Sequence, residues 1–158
     1  NNTTLGVVVG DIDNAYPEMA KGAQDEAFLH GYTVLFGSTD NNYIQEEKFL
    51  DVLKAKMVEG IIYVSSDPVT SEKLLENMTI PVVFMDRKIK KRRNMGSVLI
   101  DNFSAMKDVA AYIAGKGCRQ PAYITADISI SPSKERYEGF VRMEYRSIRD
   151  CIMQGHFP

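Results

Sequence analysis

Short apolar runs rich in β-branched residues alternate regularly along this chain with amphipathic stretches of helical spacing, a pattern few folds can accommodate. Leu5-Gly6-Val7-Val8-Val9 is continuously apolar, as a strand buried on both faces must be. Similar runs at 33–36, 60–64, 81–85 and 97–100 predict four more strands, and those at 121–125 and 151–154 add two. Between them, residues 16–30 place Met19, Ala23, Ala27 and Phe28 at helical spacing, and Gly31 supplies a stop. Residues 44–57 carry Phe49, Leu50, Leu53 and Met57 on one stripe. Shorter or later helices are predicted at 71–78, at 104–116 before Gly117, and at 133–145 after the start signal Ser131-Pro132-Ser133-Lys134-Glu135. Strand and helix joined by short connections imply right-handed βαβ units. The fold class is therefore α/β, a doubly wound, mostly parallel sheet.

Composition removes several classes of function. Nineteen Lys and Arg stand against 21 Asp and Glu, a net charge of −2, too balanced to mark a nucleic-acid surface. No apolar run approaches the ~18–20 residues of a membrane span. Cys118 and Cys151 lie apart in unrelated contexts and read as free thiols; His30 and His156 are equally isolated, so no metal site is expected. The nucleophile-elbow, zinc-protease and phosphate-loop motifs are absent, and Gly6 with Gly10 does not complete a dinucleotide turn. The expectation is a protein with no catalytic residue and no cofactor. The sequence stops just after a predicted strand, which suggests a fragment.

In an open doubly wound sheet, ligands bind beyond the carboxyl ends of the strands. Those loops read Gly10-Asp11-Ile12-Asp13-Asn14-Ala15-Tyr16, then Ser65-Ser66-Asp67, Asp86-Arg87, Asp101-Asn102 and Thr125-Ala126-Asp127, with Arg136 on the helix that follows. Carboxylates accept from vicinal hydroxyls, Arg and Asn donate to hydroxyl and ring oxygens, and an aromatic covers an apolar C–H face. The set suits a polyhydroxylated small molecule. Each residue also has an ordinary role: Asp and Asn cap helices and make turns, and Asp86-Arg87 reads equally as a surface ion pair. The run from Arg87 to Arg93 holds six basic residues in seven. It is expected to be a solvated loop, mobile through its own repulsion, with only Arg87 facing the cleft; the alternative is an anion-binding patch.

These residues resemble, in order, the effector-binding core of the lac/galactose repressor family. The resemblance runs through Asp11-Ile12-Asp13-Asn14-Ala15-Tyr16, Gly22, Gly31-Tyr32, Val58-Glu59-Gly60-Ile61-Ile62 and Ile80-Pro81-Val82-Val83-Phe84-Met85-Asp86-Arg87. It continues through Val98-Leu99-Ile100-Asp101-Asn102, Gly117-Cys118-Arg119-Gln120-Pro121-Ala122-Tyr123-Ile124 and Ser133-Lys134-Glu135-Arg136-Tyr137-Glu138-Gly139-Phe140.

The resemblance implies a periplasmic-binding-protein-like core of two lobes, with residues 1–118 as the first lobe and 119–158 as part of the second. It implies effector-binding roles for Asn14, Tyr16, Ser65, Asp86, Arg87, Asp101 and Arg136. Among these, Asn14 and Tyr16 stand where sugar-binding relatives place an Asn and an aromatic, Asp86-Arg87 matches a pair that grips hydroxyls, and Arg136 matches an Arg of the second lobe. Ala15 replaces a usual Pro, Pro17 a common second aromatic and Cys118 a common His, which leaves the class of sugar open.

The implied function is the effector-binding and dimerisation domain of a cytoplasmic bacterial repressor, with a sugar as its small-molecule partner. Operator DNA is reached only through a headpiece outside this sequence. The homodimer would use the stripe of Phe49, Leu50, Leu53 and Met57, unless that stripe only packs on the sheet. The alternative is an exported sugar-binding protein serving a membrane transporter. An enzyme on the same sheet is disfavoured, since no nucleophile–base pair is visible.

Overall fold

The computed structural model describes residues 3–10, 16–90 and 92–142, with the backbone of 152–154. The chain divides into two compact units, residues 1–99 and 100–158.

The first unit is a five-stranded, wholly parallel sheet of β1 (Thr4–Val9), β2 (Thr33–Ser38), β3 (Gly60–Tyr63), β4 (Val82–Met85) and β5 (Met95–Val98), in the spatial order β2-β1-β3-β4-β5. The predicted five parallel strands are all present. Helices α1 (Tyr16–Leu29), α2 (Tyr43–Ala55) and α3 (Pro68–Leu74) connect them. The chain steps outward from β1 to β2, then crosses back over β1 to β3. Right-handed crossovers in opposite directions put their helices on opposite faces. One face carries α2 and α3 over Val8, Ile61, Tyr63, Val82 and Phe84; the other carries α1 over Val7, Val9 and Val64.

Local chemistry moves two boundaries. Helix α3 begins at Pro68 rather than 71, because the Asp67 carboxylate accepts from Val69 N–H and Pro68 takes the first turn, where no N–H is needed. Strand β5 lies at 95–98 rather than 97–100, after Asn94, whose side-chain amide donates to the carbonyls of Met78, Thr79 and Ile80.

The stripe on α2 packs inward. Leu50 and Leu53 are fully buried with Val8, Ile61 and Tyr63, and Phe49 is half-buried against the same cluster. Only Met57 stands out, 71% exposed, so the expectation of a dimer face there is corrected. At the β2 edge of the sheet, Phe28, Leu29 and Phe36 are exposed.

The basic loop is solvated as expected, with Lys88, Lys90, Arg92 and Arg93 exposed, but it is also tied to the fold. Ile89 is buried in the core, Lys90 N–H donates to Glu72, and Arg92 Nη1 donates to the Glu76 carbonyl at 2.6 Å. One buried apolar residue and two hydrogen bonds fasten the segment to α3 and its end. It is therefore anchored; Lys91 lies outside the described residues.

The second unit holds α4 (Asn102–Gly115), β6 (Tyr123–Thr125), α5 (Ser131–Val141) and β7 (Ile152–Gln154), with β6 and β7 paired in parallel. Ala110, Tyr123 and Phe140 form its core, the two rings 4.8 Å apart between centroids. Helices α4 and α5 approach closely at Gly139, where a Cβ would meet the Phe103 carbonyl. This packing makes α4 part of the second unit. The division therefore falls at 99/100, and not at the expected 118/119.

Candidate functional site

The strand order reverses between β1 and β3, and the segments leaving these two strands diverge to opposite faces. Such a switch point leaves a crevice at the carboxyl edge. Tyr16 opens α1 after β1, Ser65 follows β3, and Asp86-Arg87 follows β4. All three segments therefore end at one edge.

Their side chains meet there. Tyr16 Oη donates to Asp86 Oδ2 at 3.0 Å. The Tyr16 ring is buried among Val7, Val9 and Val64, so it belongs to the core and offers its hydroxyl, rather than the expected aromatic face. Burial pushes its phenol above the ordinary value; the Arg87 cation pulls it back, and the Asp86 carboxylate adds to the rise.

Asp86 is held in an unusual conformation. Arg87 N–H donates to the Met85 carbonyl at 2.7 Å, closing a three-residue γ-turn with Asp86 at φ +65°. Asp86 N–H donates to Val98 on β5, which fixes the turn to the sheet. A residue other than glycine with positive φ is strained, and such strain gathers at functional sites.

Arg87 Nη1 donates to the carbonyls of Ser65 at 2.7 Å and Ser66 at 3.1 Å. Its Nε is buried with no acceptor among the described residues. Ser65 contributes to this site through its carbonyl. Its hydroxyl is fully buried and donates to Ser71 Oγ at 2.8 Å, so the expected direct contact with an effector is replaced by support of Arg87.

Beneath this edge lies a polar cluster that the sequence reading missed. Glu46, in the first turn of α2, is 0% exposed. Its carboxylate accepts from Tyr63 Oη, from Ser66 Oγ, and from Ser71 Oγ at 2.7 Å. Burial first, then the neighbouring carboxylate, push the Tyr63 phenol far above its ordinary range. A signal existed: Glu46, Leu50 and Leu53 stand at i, i+4 and i+7, so a charge occupies a core position of an apolar stripe.

In the second unit, Asp101 is a helix cap, accepting from Ser104 N–H at 2.9 Å. That is the ordinary role. Arg136, on α5, donates through Nε to Oδ1 of the buried Asn102 at 2.9 Å. Asn102 thus orients Arg136 and leaves the four Nη hydrogens outside that bond. Asn14 lies outside the described residues.

A groove of about 560 Å³ runs elsewhere on the first unit, lined by Gln24, Asp25, Phe28, Leu29, Tyr32, Thr33 and Val34. It lies at the amino end of β2, away from the carboxyl edge. Among the described residues no cluster of His, Cys, Asp and Glu suits a metal, and no helix is long and apolar enough to cross a membrane.

A parallel sheet with a polar, strained constellation at its switch point defines a small-ligand-binding α/β protein. More particularly, the chain belongs to the family of periplasmic binding proteins and the sugar binding domain of the LacI family, matched over residues 2–148. The ribose operon repressor of Halalkalibacterium halodurans is 30% identical over 155 residues, covering 97% of this chain and 46% of that protein. The chain thus spans about half the length of that relative. Among solved structures, the Cra transcriptional dual regulator of Pseudomonas putida in complex with fructose 1-phosphate has a TM-score of 0.84 at 26% identity, over 99% of this chain and 59% of that one. A periplasmic binding protein/LacI transcriptional regulator from Alkaliphilus metalliredigens, complexed with D-xylulofuranose, has a TM-score of 0.82 at 26% identity, over 99% and 58%. The HTH-type transcriptional regulator RegA of Clostridium acetobutylicum is 36% identical over 117 residues, covering 72% of this chain and 35% of that protein.

Proposed function

We propose that this chain is the sugar-sensing part of a cytoplasmic bacterial transcriptional repressor that works as a homodimer. The observation that carries the reading is the Tyr16–Asp86–Arg87 constellation at the switch point. A carboxylate and a guanidinium on adjacent residues, both fixed by backbone or hydroxyl partners, offer the acceptors and donors that sugar hydroxyls need. Asp86 is the acceptor and Arg87 the donor. Arg136, already oriented by Asn102, is the donor of the second unit. Asn14, on the loop after β1, is proposed as a further contact. Asp101 acts by capping α4, which holds Asn102 at the start of that helix.

The regulatory relatives favour a repressor over a transporter's binding protein. A ketose and a ketose phosphate are bound by structures similar to this one, so pentoses, pentuloses and phosphorylated hexoses are the first to test. The test is operator release by the intact protein. A gel-shift titration with D-ribose, D-xylulose and fructose 1-phosphate is expected to free the operator with one of them. Asp86→Ala is expected to keep operator affinity and lose that response. A response undiminished in Asp86→Ala would refute this placement of the site.

A further inference from the structure

Glu46 is a glutamate in the core of the first unit, and among the described residues its partners are hydroxyls rather than cations. A buried carboxylate is costly unless its oxygens are satisfied. Here they are satisfied by groups from three elements: Tyr63 at the end of β3, Ser66 in the loop beyond it, and Ser71 on α3. Ser65 joins indirectly by donating to Ser71. Both serines of that loop are thereby tied down through their hydroxyls. Their carbonyls are the two acceptors of Arg87 Nη1. One short peptide segment is gripped from beneath by Glu46 and grips Arg87 above.

We infer that Glu46 is a positioning residue for ligand recognition: by clamping the Ser65–Ser66 segment it sets the direction of the Arg87 guanidinium. The inference rests on the reading of Asp86 and Arg87 as the sugar contacts. The alternative is that Glu46 only stabilises the core. The geometry separates the two, because Ser66 reaches Glu46 from a half-buried loop position that contributes nothing to the apolar core. Without the clamp, the segment keeps its carbonyls but loses their fixed direction. Arg87, whose Nε has no acceptor among the described residues, is then free to turn.

The test uses the intact protein with Glu46→Gln, which keeps the volume and one acceptor, and with Ser66→Ala, which removes only the loop's link. Two quantities are read: the NMR line width and hydrogen exchange of the Arg87 Nε–H, and calorimetric affinity for D-ribose and D-xylulose. Both variants are expected to broaden the Arg87 signal and speed its exchange while core methyl signals stay in place. Affinity is expected to fall about tenfold, the scale of one supporting hydrogen bond. An unchanged Arg87 signal in folded Ser66→Ala overturns the inference, whatever sugar binds. Sugar binding lost in Asp86→Ala but untouched in both clamp variants also overturns it and leaves the site in place. Sugar binding untouched in Asp86→Ala overturns the site reading instead, and the Arg87 signal then decides the positioning claim alone.

Discussion

Asp86 joins two demands in one residue: a carboxylate that Tyr16 donates to, and a backbone angle that suits glycine. The two separate by substitution. Asp86→Gly loses the carboxylate and relieves the strain, whereas Asp86→Ala loses the carboxylate and keeps the strain. The Gly variant is expected to be more stable than the Ala variant by about 1 kcal/mol in urea unfolding, with sugar binding lost in both. Equal stabilities would remove the strain from the account. Tyr63 makes a second test. Its phenol is raised in the folded state, so its proton stays on after the unfolded chain has lost its own. Its contribution is therefore full below about pH 10 and lost as pH climbs toward the folded value, at up to about 1.4 kcal/mol per pH unit. Denaturation between about pH 9 and 11 should show that decline, and Tyr63→Phe should flatten it. Tyr16, Tyr32 and Tyr123 are raised as well, so a residual slope remains. At this scale the sequence was half legible. It shows which polar residues end at the strand edge, but not that the Ser65 hydroxyl turns inward or that the Tyr16 ring is core. Pattern reports position along the chain; orientation is decided by packing.

Three helices end on the same six-residue device, in which two N–H groups beyond the helix return to its last carbonyls. For α1 these are Gly31 to Phe28 and Tyr32 to Ala27; for α4, Gly117 to Ala114 and Cys118 to Ile113. For α2 they are Met57 to Lys54 and Val58 to Leu53. The device needs a left-handed residue. Gly31 and Gly117 supply it at φ +77° and +83°, whereas Met57 is forced to φ +52°. Met57→Gly is therefore expected to stabilise the protein by about 1 kcal/mol, read as a higher urea midpoint at unchanged slope. A loss of stability would mean that the exposed Met57 side chain contributes more than its strain costs. The two glycine stops were legible because glycine announces them. Elements as wholes were legible for a similar reason: period-two and period-3.6 patterns survive any packing. The start of α3 was not, since Asp67-Pro68 reads as a turn until the carboxylate is seen to cap it.

At the scale of the molecule, the two units divide where α4 leaves β5, and each has its own core. The sequence boundary at 118 failed because α4 follows the fifth strand in order, just as the earlier helices follow theirs; only its packing on α5 assigns it elsewhere. The face proposed for a dimer moves for a similar reason. With Leu50 and Leu53 spent on the sheet, the apolar surface left at the β2 edge is that of Phe28, Leu29 and Phe36, beside the groove between α1 and β2. Phe28→Lys with Leu29→Lys is expected to halve the mass seen by light scattering without changing the circular dichroism. A dimer that survives both charges would place the interface elsewhere.

Asp86 and Arg87 are proposed to hold a sugar at the switch point. Calorimetric titration of D-ribose, D-xylulose and fructose 1-phosphate into the intact protein and into Asp86→Ala tests this most directly. The parent protein is expected to bind one of these sugars saturably, and Asp86→Ala to lose about 2–5 kcal/mol, from removing one partner of a desolvated charged hydrogen bond. Equal affinity in the two proteins would contradict the proposal.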